Sequence, residues 1–200
     1  MKFIKSWTAS VMLFILIAVF STPAVKASAG PTIDSVYPGL ATDILKFATL
    51  AKLGKGTLLT AGNLVIRESE VLSDIKKANP AIRKQLEKNA FFMLESTAAR
   101  RLLLQEAVRA GFKRAGDENK VIGEYLNQEV KIKPVSVEEL KAFYTQNKDL
   151  FGNAPFEQVQ GPLKDYLMQQ KKQEAVLHYI RTLGQRQAIQ VVDSSYDTWG

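Results

Sequence analysis

The sequence predicts a mainly α fold with a minor sheet, a helical domain carrying a small β-hairpin that a C-terminal strand completes. Three observations lead there. Six stretches carry apolar residues at helical spacing, most of them bounded by capping or breaking residues. One short pair of branched-residue segments flanks Ala61-Gly62-Asn63, where glycine and asparagine suit a tight turn. A last segment, Ala188-Ile189-Gln190-Val191-Val192, reads as a strand with no sequence neighbour to pair with, and an isolated hairpin is marginal in water. The three strands are therefore expected to pair with one another.

The elements follow in order. Residues 1–29 read as a secretory signal: Lys2 and Lys5 open it, residues 11–20 are apolar, and Ala27-Ser28-Ala29 is a small-x-small cleavage pattern. Ten apolar residues are short of the roughly 20 that span a bilayer. Cleavage removes three lysines and no acid, so the net charge falls below the +7 of the whole chain. Residues 30–56 are expected as an N-terminal extension with one helix over 40–53, its apolar side formed by Leu40, Ile44, Phe47 (or Ala48) and Ala51. The hairpin spans about 57–66. A second helix over 68–78 stops at Asn79-Pro80, and a third runs from Pro80 to about residue 110, closed by Gly111.

That third helix is unusual. Ile82, Leu86, Ala90, Met93 and Thr97 trace one stripe, but Phe91, Phe92, Met93 and Leu94 are consecutive and face all round. It is expected to be a central core helix, with at least one of the four left accessible for binding. Asp117 suits the N-cap of a fourth helix. Ser136-Val137-Glu138-Glu139 is a capping box that starts a fifth, ending by about residue 148. Pro155 opens a sixth that stops at Gly184. Its middle, Gln169-Gln170-Lys171-Lys172-Gln173-Glu174, has no apolar residue, so it is expected to bridge two contacts across solvent. Residues 193–200 read as a tail.

Chemistry is sparse. With no cysteine, disulfides, a lipid anchor on cysteine and thiolate metal sites are excluded. The single histidine, His178, sits late on a helix and lacks converging ligands. There is no G-x-S-x-G elbow, P-loop or dinucleotide glycine pattern. Asp117 with Glu118, and Glu138 with Glu139, lie at helix starts, where negative charge complements the dipole. No arginine-rich arm or basic stripe interleaved with aromatics points to nucleic acid. Lys76-Lys77, Arg100-Arg101 and Lys171-Lys172 read as solvated helix faces, with contact to acidic polypeptide segments or lipid headgroups as their second reading.

Several segments carry a family resemblance. Ile66-Arg67-Glu68-Ser69-Glu70 after the glycine turn, the helix end Leu102-Leu103-Leu104-Gln105-Glu106-Ala107, and the halves either side of Phe151-Gly152-Asn153-Ala154-Pro155 resemble SurA-like and PrsA-like secreted folding factors. The similarity spans about 57–192, read as the chaperone domain. In many of those proteins a parvulin prolyl isomerase domain sits where this chain has only the short joint. The resemblance implies an ATP-independent periplasmic holdase without the isomerase: no catalytic residue, cofactor or metal, and unfolded or nascent exported polypeptides as partners. Phe91, Phe92, Met93, Leu94, Phe143, Tyr144 and Tyr166 are the residues expected to meet clients. Client identity and self-association into a homo-oligomer stay open, as do two other readings: an adaptor for one exported partner, and a relative with residual isomerase activity.

Overall fold

The structure is a computed structural model that describes residues 30–114 and 116–193. The expected signal at 1–29 and nearly all of the tail lie outside the described residues. The chain is mainly helical with a small four-stranded sheet. Its helices are α1 (Ile33–Val36), α2 (Glu68–Lys77), α3 (Pro80–Lys88), α4 (Ala90–Arg109), α5 (Glu118–Glu129), α6 (Val137–Gln146) and α7 (Phe156–Arg186). The strands are β1 (Thr49–Ala51), β2 (Thr57–Ala61), β3 (Leu64–Arg67) and β4 (Gln190–Val192).

Hairpin and last strand pair as expected. β2 and β3 run antiparallel, with a bulge between Thr57 and Leu59. Gly62 takes φ +56° at the first turn position, the glycine-first arrangement of a type II′ turn. β4 lies antiparallel to β2, placing Leu59 opposite Val191. Its other edge pairs parallel with β1, giving the order β1-β4-β2-β3. β4 is thus an inner strand although it is nearly the last described segment, and Val191 is fully buried.

The largest correction concerns residues 40–53. No helix forms there. The segment makes a series of turns and then β1. The turns put Ala41, Ile44, Leu45 and Ala48 in the main core, so spacing that suited a helix is satisfied by a compact loop. Phe47, one candidate for the helical stripe, is 41% exposed, and its alternative Ala48 is buried. Nor are residues 30–56 an extension: Ile33 joins the same core, and Ile33 N–H donates to the Ala48 carbonyl at 2.9 Å.

The expected third helix is two. Asn89 leaves helical geometry (φ −127°, ψ 52°) and separates α3 from α4. Asparagine is a weak helix former. α3 buries no residue completely, and Ile82 is 47% exposed. α4 is buried on several sides, through Phe91, Leu94, Ala98, Leu102, Leu103 and Leu104 among others. The break lets α4 turn its apolar faces inward without taking α3 along. The predicted caps of α5 and α6 are present: Asp117 accepts from Asn119 N–H at 2.9 Å, and Ser136 and Glu139 form the reciprocal capping box.

α7 does not stop at Gly184. It continues to Arg186, and Ala188 in the left-handed region (φ +46°) ends it. Gly184 has a different task. A Cβ there would fall on the carbonyl of Ile44, so glycine is what lets α7 press against the 40–48 loop. Two substitutions should therefore act in opposite directions. Gly184→Ala is expected to destabilise by about 1–3 kcal/mol through overpacking. Ala188→Gly is expected to stabilise by about 1 kcal/mol by relieving the left-handed alanine. Denaturant melts of the two variants check both signs.

Candidate functional site

α7 joins two separate apolar clusters. The larger one includes the sheet, α2, α4, α5 and Leu183 near the end of α7. The smaller contains buried Val135, Leu140 and Leu163, with Phe143, Tyr144, Phe151, Phe156, Leu167 and Met168 packed around them. Between the two lies the polar stretch from Gln169 to Glu174, none of it buried. The expected span across solvent is present.

The smaller cluster is built by the short joint. α6 ends at Gln146, a 3-10 turn occupies Lys148–Leu150, and Gly152 reverses the chain at φ +55°. α7 then returns alongside α6. Phe151 packs against Tyr144 at 5.1 Å between ring centroids, and Phe156 reaches Tyr144 at 5.6 Å. The Tyr144 hydroxyl donates to the Ala154 carbonyl at 2.7 Å, closing the joint. Lys171 anchors the two helices further on, at 2.7 and 2.8 Å from the Glu139 carboxylate oxygens.

Hollows formed by described residues flank α7. One of about 280 Å³ is walled by Val135, Ala142, Phe143 and Leu167, with the Glu139–Lys171 pair at its rim. Another, about 480 Å³, follows the α7 face of Gln169, Lys172, Gln173, Val176 and Leu177. These positions recur every three to four residues and so share a side of the helix. Lys172 reaches across to the Asn127 side-chain oxygen at 2.6 Å, tying this face to α5. Above it, Tyr125 and Tyr179 share a short hydroxyl–hydroxyl hydrogen bond. Burial, together with that bond, pushes the Tyr125 phenol well above its ordinary value.

The seven sequence-derived candidates divide sharply. Phe91 and Leu94 are core residues and do not reach a binding surface, because α4 runs through the centre of the domain. Met93 is half-buried against the same core. Phe92 is 55% exposed. Phe143 lines the smaller hollow, Tyr144 is committed to the joint, and Tyr166 packs at a tilt against Phe143 while remaining 49% exposed. The α4 group belongs to one cluster and the α6–α7 group to the other.

Sequence reasoning missed Val176 and Leu177 in the second hollow, and Leu150, 76% exposed beside the joint. Val176-Leu177 was findable: with Ala175 it is where apolar character returns to α7 after the polar stretch. Among the described residues no group of three or more His, Asp or Glu could hold a metal ion. His178 is exposed. No described helix is long and apolar enough to cross a membrane.

No protein-family model matches the chain, and no curated protein or solved structure is significantly similar to it.

One prediction follows from the anchor between α6 and α7. The Lys171 ammonium, then the Ser136 amide, hold the Glu139 carboxyl below its usual range. A lowered folded-state value means the contribution is present above the unfolded carboxyl's titration range and fades as pH falls through the folded value. Glu139→Gln should lower the melting temperature slightly near neutral pH. The difference from the parent should shrink toward zero in acid, as thermal melts across about pH 7 to 3 would record.

Proposed function

We propose that this chain is a binding module of the holdase kind, an ATP-independent chaperone for unfolded exported polypeptides. The observation that carries the reading is α7 itself, a 31-residue helix joining two apolar clusters with apolar side chains left exposed along and beside it. Tyr166, Leu177 and Leu150 are exposed there, and Phe92 is exposed on α4.

Magnitudes favour weak, many-point contact. Covering a half-exposed large apolar side chain contributes about 1 kcal/mol. A few such contacts are partly offset by the cost of ordering the bound segment. The sum suits capture and release without an energy source. The hollow beside Val176 and Leu177 is bordered by the long, adaptable side chains of Gln169, Lys172 and Gln173, which suits clients of varied sequence. Export, and with it the periplasm, is inferred from the signal-like pattern of residues 1–29. The resemblance to SurA-like factors supports the same assignment through segment order, with a closed joint where those proteins often carry an isomerase.

The test is aggregation of several unrelated denatured proteins, measured by light scattering at stoichiometric amounts of this chain. Protection of most of them is expected. Combining Phe92→Ser, Tyr166→Ser and Leu177→Ser should weaken it, while each change alters stability by only about 0.5 kcal/mol, as at exposed sites. Protection of a single protein would make the chain an adaptor. Catalytic acceleration of a proline-limited refolding step at substoichiometric amounts would make it an isomerase.

A further inference from the structure

A further hollow lies along α4, and its chemistry is different. It measures about 610 Å³, well within the range that holds a ligand. Arg100, Arg101, Leu104, Gln105, Val108 and Arg109 line it from α4, at spacings that place them along one side of the helix. The β2–β3 turn contributes Asn63 and Leu64. The third wall is the segment after α4. Gly111, at φ +92°, ends that helix, and the chain turns to bring Arg114 and then Glu118, the first residue of α5, to the cavity.

Four guanidinium groups therefore surround one space, and among the described residues the only acid in its lining is Glu118. That carboxylate is shared. Arg114 donates to its Oε1 from Nε at 3.3 Å and from Nη2 at 2.9 Å, and Arg100 Nη1 donates to its Oε2 at 2.8 Å. Both arginines hold the Glu118 carboxyl below its ordinary range. Arg101 and Arg109 pair with Glu70 and Glu106, neither of which lines the hollow. With Glu70 and Glu106 included, the four cations still outnumber the acids. A wall of Leu64, Leu104 and Val108 accompanies the charge, and the side-chain amides of Asn63 and Gln105 suit a peptide backbone.

We propose that this cavity binds a carboxylate-rich segment of an unfolded polypeptide, whose acidic side chain takes the place of Glu118 between Arg100 and Arg114. The inference rests on the holdase reading for the nature of the ligand, and on charge complementarity for its acidity. Guanidinium groups match carboxylates, and Arg114 and Arg100 already hold one between them, Arg114 on Oε1 through two donors and Arg100 on Oε2. The apolar wall favours peptide over a free small anion, because alternate residues of an extended segment can meet charge and hydrocarbon in turn.

The experiment uses fluorescence anisotropy of a labelled, unstructured peptide alternating Glu with apolar residues, against versions with Gln or Lys in place of Glu. The acidic peptide should bind most tightly and weaken as salt rises. Arg100→Gln and Arg114→Gln, both at partly exposed side chains, should each weaken it by about fivefold, the upper range for an exposed ion pair. Glu118→Gln should act oppositely and tighten binding, because it removes the resident competitor. Equal affinity for the three peptides, indifference to the arginine changes, or weakening by Glu118→Gln would each overturn the proposal. So would arginine-dependent binding of anionic phospholipid vesicles without binding of the acidic peptide. The aggregation assay separates the two claims. Loss of acidic-peptide preference with aggregation protection intact sinks only this site, and the reverse sinks only the holdase reading.

Discussion

A buried carboxylate fixes the centre of this structure. Glu95, on α4, is only 7% exposed and accepts from Asp43 N–H at 2.9 Å, and from Thr42 N–H, the Thr42 hydroxyl and Leu45 N–H, each at 3.3 Å. A charge in that position is costly unless donors surround it, and the loop supplies four. The loop gains as much as the acid does, because its turns leave backbone amides that no strand or helix satisfies. α7 meets the same few residues from the other side. Arg181 donates to the Thr42 carbonyl at 3.2 Å and lies 3.6 Å from the Asp43 carboxylate, while Gly184 allows contact with Ile44. The main lobe is assembled on this one loop.

Much of the remaining architecture follows from that anchorage. Fixing the end of α7 at the loop fixes where Ala188 turns the chain and so where β4 enters the sheet. β1 leaves the same loop and pairs with β4, Thr49 N–H donating to the Ile189 carbonyl at 2.9 Å. The other end of α7 is then free to project. From Leu183 in the main core to Leu163 in the smaller cluster is 20 residues, or about 30 Å of helix. The polar middle tolerates that exposure, and the α6 lobe is held at the far end by its own aromatic cluster and the Glu139–Lys171 pair. The surfaces between and beside the lobes are what the proposed function uses.

The sequence made legible what local patterns control. The capping box at Ser136, the cap at Asp117, the hairpin at Ala61-Gly62-Asn63 and the bridging character of α7 all depend on residues close together in the chain. What it hid depends on contacts between distant segments. The apolar spacing at 40–53 fits a helix, and only Glu95, some 50 residues later, makes the turned conformation satisfiable. Gly184 resembles a helix stop until Ile44 is placed beneath it. Phe91 to Leu94 announced a helix buried on several sides, but which of the four stays outside depended on the break at Asn89. The arginine cavity was half visible as Arg100-Arg101; Arg109 and Arg114 join it only because the α4–α5 turn folds back.

The claim that one carboxylate organises the main lobe is tested most directly by hydrogen exchange on Glu95→Ala. Removing an acceptor shared by three buried or half-buried amides should cost about 3 kcal/mol. Faster exchange should spread from Thr42, Asp43 and Leu45 to β4 and the last turns of α7, while amides of α6 keep the protection they have in the parent. Exchange that rises only at residues 42–45, with global stability within about 0.5 kcal/mol of the parent, would contradict the account and leave Glu95 as a local cap.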